Sequence, residues 1–443
     1  MFKKALLTIF IMLISPMAFA VERNDLNVEF FNRFNDVYLY NYINEALSNN
    51  HNAKQTTAIV EEYRQNVKTQ FAKELPNFSV AANYLGIHIP EFNNNNNMSW
   101  QIKNNAFVLP FIASYEADFL LKNRDKTKSA KKTYEMSKLD EQAAYLSLLS
   151  DVAAVYTNIL QYDKLIEEQE QIVNNYNRIL NDDNKKLNRG VISTTDFNNS
   201  KSKTESSNIY MEQLIKQREI LLMELAVLTG QSIDCAEELE RGTIDNFEYN
   251  AVIPSEIKSD VIFSRPDVKK AEAALEKARI DVRVARKEFL PTFNITGIWA
   301  FNTIASGSFF SWKSSLAAIL AGATQDIFTG GRKIANLKFQ KAKYEELFEK
   351  YRQTDLDAVK EVNTTLCIIK HDTAVEAKTK EKLSSETKNL NNANKMLKQG
   401  VISKTQYINT STAYLNNDME LTKAKTQRLI NYYTLYKTTG GKI

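Results

Sequence analysis

The heptapeptide LNRGVIS at Leu187–Ser193 returns as LKQGVIS at Leu397–Ser403, 210 positions later. The match extends far beyond seven residues. Glu74-Leu75-Pro76-Asn77-Phe78 corresponds to Phe289-Leu290-Pro291-Thr292-Phe293, Asp118 and Arg124 to Asp326 and Arg332, and Tyr134-Glu135 to Tyr344-Glu345. The offset drifts only from 215 through 208 to 210 residues, so a unit of about two hundred residues is duplicated, with small length changes in loops. Whatever one copy folds into, the other must fold into as well.

Each copy reads as helix, strand, loop, strand, long helix, turn, helix. Val152, Ile159, Ile166, Val173, Leu180 and Leu187 recur every seven residues in the first copy. The second copy has Val362, Ile369, Glu376, Leu383, Leu390 and Leu397, with one break at Glu376. A sustained seven-residue apolar period predicts a narrow seam that wraps a neighbouring helix. No Gly or Pro occurs between Phe119 and Asn188, and at 1.5 Å per residue that is on the order of 100 Å of helix. Gly190 and Gly400 are placed to end the rods through a left-handed residue. Ser193 and Ser403 are placed to cap the returning helices. The repeated phrase is therefore the tip of a helical hairpin. Capping accounts for its Gly and Ser, but not for Val191-Ile192 and Val401-Ile402, apolar pairs expected to be exposed.

Four segments break the helical period, at about 77–88, 106–118, 292–301 and 314–328. Phe78, Val80, Ala82 and Tyr84 alternate with Ser79, Ala81 and Asn83, and Phe107, Leu109, Phe111, Ala113 and Tyr115 share a second period-two face. Phe293, Ile295, Gly297, Trp299 and Phe301 form a third such row; the fourth segment is small, apolar and weakly alternating. The connections at Glu91–Asn105 and Asn302–Lys313 read as polar loops. Trp100, Trp299 and Trp312, all the Trp of the chain, lie in or beside these segments, as interface aromatics do. Alternating segments of this length suit transmembrane β-strands. Four cannot close a barrel, and an open edge in lipid leaves backbone groups unpaired. Several copies must pool their strands: two would supply eight, three twelve.

The N-terminus supports export. Lys3 and Lys4 precede an apolar run over Ala5–Ile14, and Ala18-Phe19-Ala20 has the form of a signal peptidase site, so residues 1–20 read as a cleaved leader. No run of eighteen apolar residues follows, so no membrane-spanning helix is expected. Lys and Arg (57) nearly balance Asp and Glu (53), which argues against nucleic acid as a partner. His51, His88 and His371 lie far apart and predict no metal site. There is no phosphate loop and no triad, so no enzyme and no cofactor is expected. Cys235 and Cys367 could pair or stay free. A secreted coiled-coil scaffold or adhesin-like structural protein would share the heptads and the leader, but would not require alternating strands flanked by Trp.

The pattern resembles the TolC family of outer-membrane efflux channels over nearly all of the mature chain. The resemblance rests on the duplicated unit, the two Gly-Val-Ile-Ser tips and Gln325-Asp326-Ile327-Phe328-Thr329-Gly330-Gly331-Arg332. It rests too on Ser264-Arg265-Pro266-Asp267-Val268 at the start of the second copy and Leu225–Gly230 at the end of the first. It implies a mainly α fold with a small β part: repeats over 21–230 and 264–443, an equatorial segment over 231–263, and helical hairpins forming an α-barrel. It also implies a homotrimer with twelve pooled strands in outer-membrane lipid and a large periplasmic part. An inner-membrane pump or ABC exporter and a periplasmic adaptor are the implied partners, with drugs, toxic compounds or secreted proteins as cargo. Arg189, Gly190, Val191, Ile192, Ser193, Gln399, Gly400, Val401, Ile402 and Ser403 would meet the adaptor. Asp196, Asn199, Gln406 and Asn409 would stand at the tunnel constriction, where the family's acidic lining is diluted. Asp196 has a second reading, as a helix N-terminal cap.

Overall fold

A computed structural model of the chain describes residues 27–94, 98–303 and 309–443; the expected leader lies outside them. Three helices come first: α1 (Glu29–Asn32), α2 (Val37–Asn49) and α3 (His51–Ala72). The strands β1 (Asn77–Val80), β2 (Asn83–Asn94) and β3 (Met98–Ala117) lead into the hairpin of α4 (Lys122–Asn188) and α5 (Thr194–Thr229). After two short 3-10 turns, α6 (Ser259–Phe263) and α7 (Pro266–Lys287) open the second copy. β4 (Thr292–Asn302), β5 (Ser315–Thr324), α8 (Arg332–Lys398) and α9 (Lys404–Thr438) complete it. The long helices match in length, α4 and α8 having 67 residues each and α5 and α9 having 36 and 35.

The sheet differs from expectation in two places. Glu91–Asn105 is not a loop: β2 and β3 continue through most of it, with Ile87 opposite Asn104 and Phe92 opposite Trp100. Antiparallel pairing needs only backbone groups, so an Asn-rich sequence can carry it. The last strand ends at Thr324 rather than near 328. Gly330 and Gly331 follow with φ of 59° and 82°, the left-handed values that turn the chain into α8. β1 and β2 both pair with β3, so they occupy one strand position, and the all-antiparallel order is β1/β2, β3, β4, β5.

The chain divides into two compact units, and each draws on both copies. The first contains the sheet, with residues Asn49–Ser147 and Glu256–Cys367. Its helices follow the strand order. Thr57 of α3 donates to Glu141 of α4 at 2.6 Å. Ser129 of α4 donates to Asp281 of α7 at 2.6 Å, and Lys287 reaches Asp125 at 2.7 Å. Arg265, at the start of α7, is buried and binds both Asp267 (2.6 Å) and Glu361 of α8 (2.7 Å). Val268 packs with Ala358 and Val362 beside it. The row is therefore α3, α4, α7, α8, with α3 and α8 at its ends.

The second unit holds the residues up to Ser48, Leu148–Ser255 and Ile368–Ile443. Here the row is α5, α4, α9, α8. Gln169 of α4 donates to Ser207 of α5 at 2.8 Å, and Asn175 reaches Thr412 of α9. Asp372 and Glu376 of α8 meet Asn431 and Arg428 of α9. The segments that the periods could not place pack here. Phe30, Phe31 and Phe34 stack on Tyr433, Tyr436 and Phe247, all fully buried. Tyr156 of α4 donates to Asp36 and accepts from the Gly242 N–H.

The seam of α4 follows Val152 and Ile159, both fully buried, and then moves. Lower down the buried line is Leu165, Ile172 and Ile179, one residue before the expected Ile166, Val173 and Leu180, which are half-buried. There α4 has neighbours on two sides, and buried polar residues (Glu168, Gln169, Asn175, Asp183) complete the contact face. An apolar period could not register them. By length and composition α4 could also cross a membrane, but its apolar window is 61% buried within the fold, as a core helix would be.

Candidate functional site: two hairpin tips and an apolar sheet face

Both tips are built alike. At the first, Gly190 has φ +70°, its N–H reaches the Leu187 carbonyl (2.9 Å), and the Val191 N–H reaches the Lys186 carbonyl (2.9 Å). At the second, Gly400 has φ +72° with matching bonds to Leu397 (3.0 Å) and Met396 (2.9 Å). This is the Schellman arrangement, and a side chain at either glycine would be strained. Arg189 and Gln399 precede the glycines and are exposed. Ser193 Oγ accepts from the Asp196 N–H, and Ser403 Oγ from the Gln406 N–H, each at 3.1 Å. The apolar pairs divide: Val191 and Val401 are 68% and 63% exposed, whereas Ile192 and Ile402 are half-buried. Exposure of the whole pair is thus corrected to exposure of the valines.

The two tips differ in bracing. The Asp196 carboxylate in turn accepts from the Ser193 N–H (3.3 Å), closing a capping box, so the capping reading of this residue holds in the structure. Gln406 makes no reciprocal bond among the described residues. Asp183, buried near the first tip, takes Lys186 (2.8 Å) and Ser200 of α5 (2.6 Å). Burial alone would raise its pKa, but these donors hold the carboxyl below the usual range. The equivalent residue in the second copy is Ala393. Lys404 bridges the hairpins near their tips by reaching Asp182 at 3.6 Å. Asn199, Gln406 and Asn409 are exposed, as is Asp196.

Register gathers the alternating residues on one face. Phe111 lies opposite Val80 and Trp299, and Trp299 opposite Ala317. Leu109, Ala113, Tyr115 and Ala117 share this face with Phe78, Phe293, Ile295, Phe301, Ile319, Ala321 and Ala323. The opposite face carries Ser79, Ser114, Glu116, Asn294, Thr296 and Thr324 among apolar residues. The apolar face is open: Phe78 is 78% and Ile319 81% exposed. Trp299 belongs to it, Trp312 is exposed in the turn before β5, and Trp100 stands on β3. Cys235 and Cys367 are free, exposed thiols.

Glu376 was the feature missed by the period. The seam breaks there because its carboxylate takes a two-point contact from Arg428, whose Nη1 also donates to Tyr432 at 2.7 Å. Reflecting the sequence about Ile402 sets 376 against 428, so hairpin geometry could have found the partner.

Residues 42–231 and 259–441 match the outer membrane efflux protein family, one match in each copy. The chain belongs to that family. Outer membrane protein OprJ of Pseudomonas aeruginosa is 24% identical over 411 residues, covering 92% of this chain and 84% of its own. The cation efflux system protein CusC of Escherichia coli is 21% identical over 443 residues, covering 96% and 93%. The antibiotic efflux pump outer membrane protein ArpC of Pseudomonas putida is 22% identical over 410 residues, covering 92% and 84%. Among solved structures, the Campylobacter jejuni CmeC outer membrane channel superposes with a TM-score of 0.86 at 21% identity, covering 94% of this chain and 88% of its own. This outer membrane efflux protein therefore shares its fold with that channel.

Proposed function

We propose that the protein is the outer-membrane tunnel of a tripartite export assembly, a homotrimer that moves cargo without catalysis. The observation that carries this reading is a sheet with one apolar exposed face and two edges that have no partner strand among the described residues. Such an edge is untenable in lipid unless another copy covers it. Both helix rows have open ends as well, with exposed Ile334, Phe339 and Leu356 on the sheet-unit part of α8 and Ile59 and Phe71 on α3. In the other unit, α8 exposes Ile368 and Val375, while α5 exposes Ile209 and Val227. Each unit thus offers two different apolar sides, which favours a head-to-tail ring over a self-complementary patch. Three copies pool twelve strand positions into one barrel, which the family resemblance favours over two.

The hairpin tips dock a periplasmic adaptor that joins the tunnel to an inner-membrane pump, and the exposed Val191 and Val401 are the contact. Small toxic molecules or cations are the cargo, in line with the names of the antibiotic and cation efflux relatives. Asp196, Asn199, Gln406 and Asn409 surround the tunnel end. The test combines planar-bilayer conductance with drug susceptibility in a strain lacking the chromosomal copy. Wild type should conduct and restore resistance. Val191→Asp/Val401→Asp should conduct yet fail to restore it, and full resistance in that variant removes the docking assignment. A reversal potential unchanged in Asp196→Asn leaves that residue its cap alone.

A further inference from the structure

Next to the apolar sheet face lies a cluster of cations that transport does not explain. Where α4 and α7 meet the strands, their exposed sides carry Arg124, Lys128 and Lys131 on α4 and Arg279, Arg283 and Arg286 on α7. The two helices are neighbours here, joined through buried Asp125, which takes Lys128, Arg283 and Lys287. Other acids nearby are also engaged: Glu116 pairs with Lys122, Asp281 with Lys277, and Glu135 and Glu276 share Lys132, while Asp118 accepts from the Lys122 and Arg124 backbone N–H groups and Glu288 from Asn336. Among the described residues, Arg124, Lys131, Arg279 and Arg286 have no carboxylate within ion-pair reach. α4 and α7 are the middle of their row, so a second copy meeting α3 or α8 would not cover them.

An exposed apolar hem separates these cations from the strands. Leu121 stands one turn before Arg124, and Phe289 and Leu290 one turn after Arg286, so each helix side changes from basic to apolar as it nears the sheet. Phe119 continues the hem by packing edge-on against Phe293, ring centroids 5.5 Å apart, and Phe293 lies on the apolar sheet face. Cations one turn from exposed Phe and Leu suit a membrane interface, where acyl chains meet the hem and phosphates meet the guanidinium and ammonium groups. A water-filled lumen would give the cations a role but leave the hem in water.

We propose that this surface binds anionic phospholipid headgroups of the leaflet from which the helices hang, with Arg124, Lys131, Arg279 and Arg286 as the phosphate contacts. The inference rests on the sheet lying in the membrane, not on adaptor docking or cargo. It is tested on the full chain in detergent by native mass spectrometry with phosphatidylglycerol or phosphatidylethanolamine added. Wild type should bind phosphatidylglycerol about tenfold more tightly, with the preference weakening as salt rises. Arg124→Gln/Arg279→Gln/Arg286→Gln should lose it, whereas Lys370→Gln/Lys388→Gln/Lys395→Gln should keep it. If the triple variant does not assemble, Arg279→Gln and Arg286→Gln singly should each reduce it. Equal binding of the two lipids by wild type, or equal loss in the control variant, overturns the proposal. So does a triple variant with unchanged lipid preference but a shifted reversal potential, which would assign the cations to anionic cargo. Loss of the preference in a wild type that still conducts leaves the tunnel reading standing.

Discussion

The two hairpins began as copies, and their backbones still agree at the tip to within 0.1 Å in each paired bond. Their surroundings do not agree. α4 lies between α5 and α9 and buries Val152, Ile159, Leu165 and Ile172 within the chain. In the same unit α8, of equal length, stands at the end of the row beside α9 and leaves Ile368 and Val375 open. Near the first tip a buried Asp183 clasps α5, and near the second there is Ala393. Duplication thus supplies the geometry, while later change fits one rod for the interior of the protomer and the other for its edge. The first hairpin is braced within the chain; the second depends on what covers it.

The sharpest break in this comparison is Glu376. Glu376→Leu strands a mostly buried Arg428 and should destabilise the second hairpin by about 3 kcal/mol, read as an earlier loss of helical signal on heating. Glu376→Leu/Arg428→Leu should recover most of that loss, because it removes both charges. A harmless single substitution would show that the contact adds nothing.

The first hairpin has its own buried acid. Neither carboxyl oxygen of Glu168 has a hydrogen-bond partner among the described residues, and Lys164 Nζ stands 3.9 Å from Oε1. Burial, then the neighbouring Asp418, pushes its pKa from 4.5 up to about 9, with Lys164 opposing and Glu167 adding. A folded-state pKa raised in this way favours the neutral acid. The contribution of Glu168 to stability is therefore full below pH 4.5 and is lost as pH rises toward 9. Melting between pH 6 and pH 9 should fall in wild type and stay flatter in Glu168→Gln; parallel curves would mean that Glu168 is already ionised at pH 6.

Asp183→Ala should cost about 1–2 kcal/mol and raise hydrogen exchange around the first tip to the level of the second. The reverse graft, Ala393→Asp, should slow exchange around the second, because Thr410 stands where Ser200 does. The smallest effect belongs to Asp196→Asn, about 0.5 kcal/mol through the cap, visible as slight fraying of the first turn of α5.

Local signals were legible in the sequence. Gly190, Gly400, Ser193 and Ser403 act through neighbours within six residues, so their roles could be read directly. The rows containing Phe111 and Trp299 were legible because strand alternation survives in a sheet whose apolar face is open. The seam below Leu160 was not, because Gln169 and Asn175 face partners on other helices and break no apolar period. The Arg428 partner of Glu376 lies 52 residues away, beyond any local pattern. The bracing of the first tip by Asp183 was hidden likewise, since an Asp in a polar helix reads as solvated surface. The basic cluster on α4 and α7 was hidden because helix pairing, not sequence distance, brings Lys128 beside Arg283.

The account stands or falls on whether the open edges of one copy are closed by another. Single cysteines scanned along Ser315–Thr324, paired with single cysteines at Asn77–Val80 in a Cys235→Ser/Cys367→Ser background, test this in intact outer membranes. The predicted result is efficient crosslinking at matched positions, with ladders that stop at three chains. Crosslinks confined to monomers, or ladders without a limit, would contradict a closed barrel shared by three.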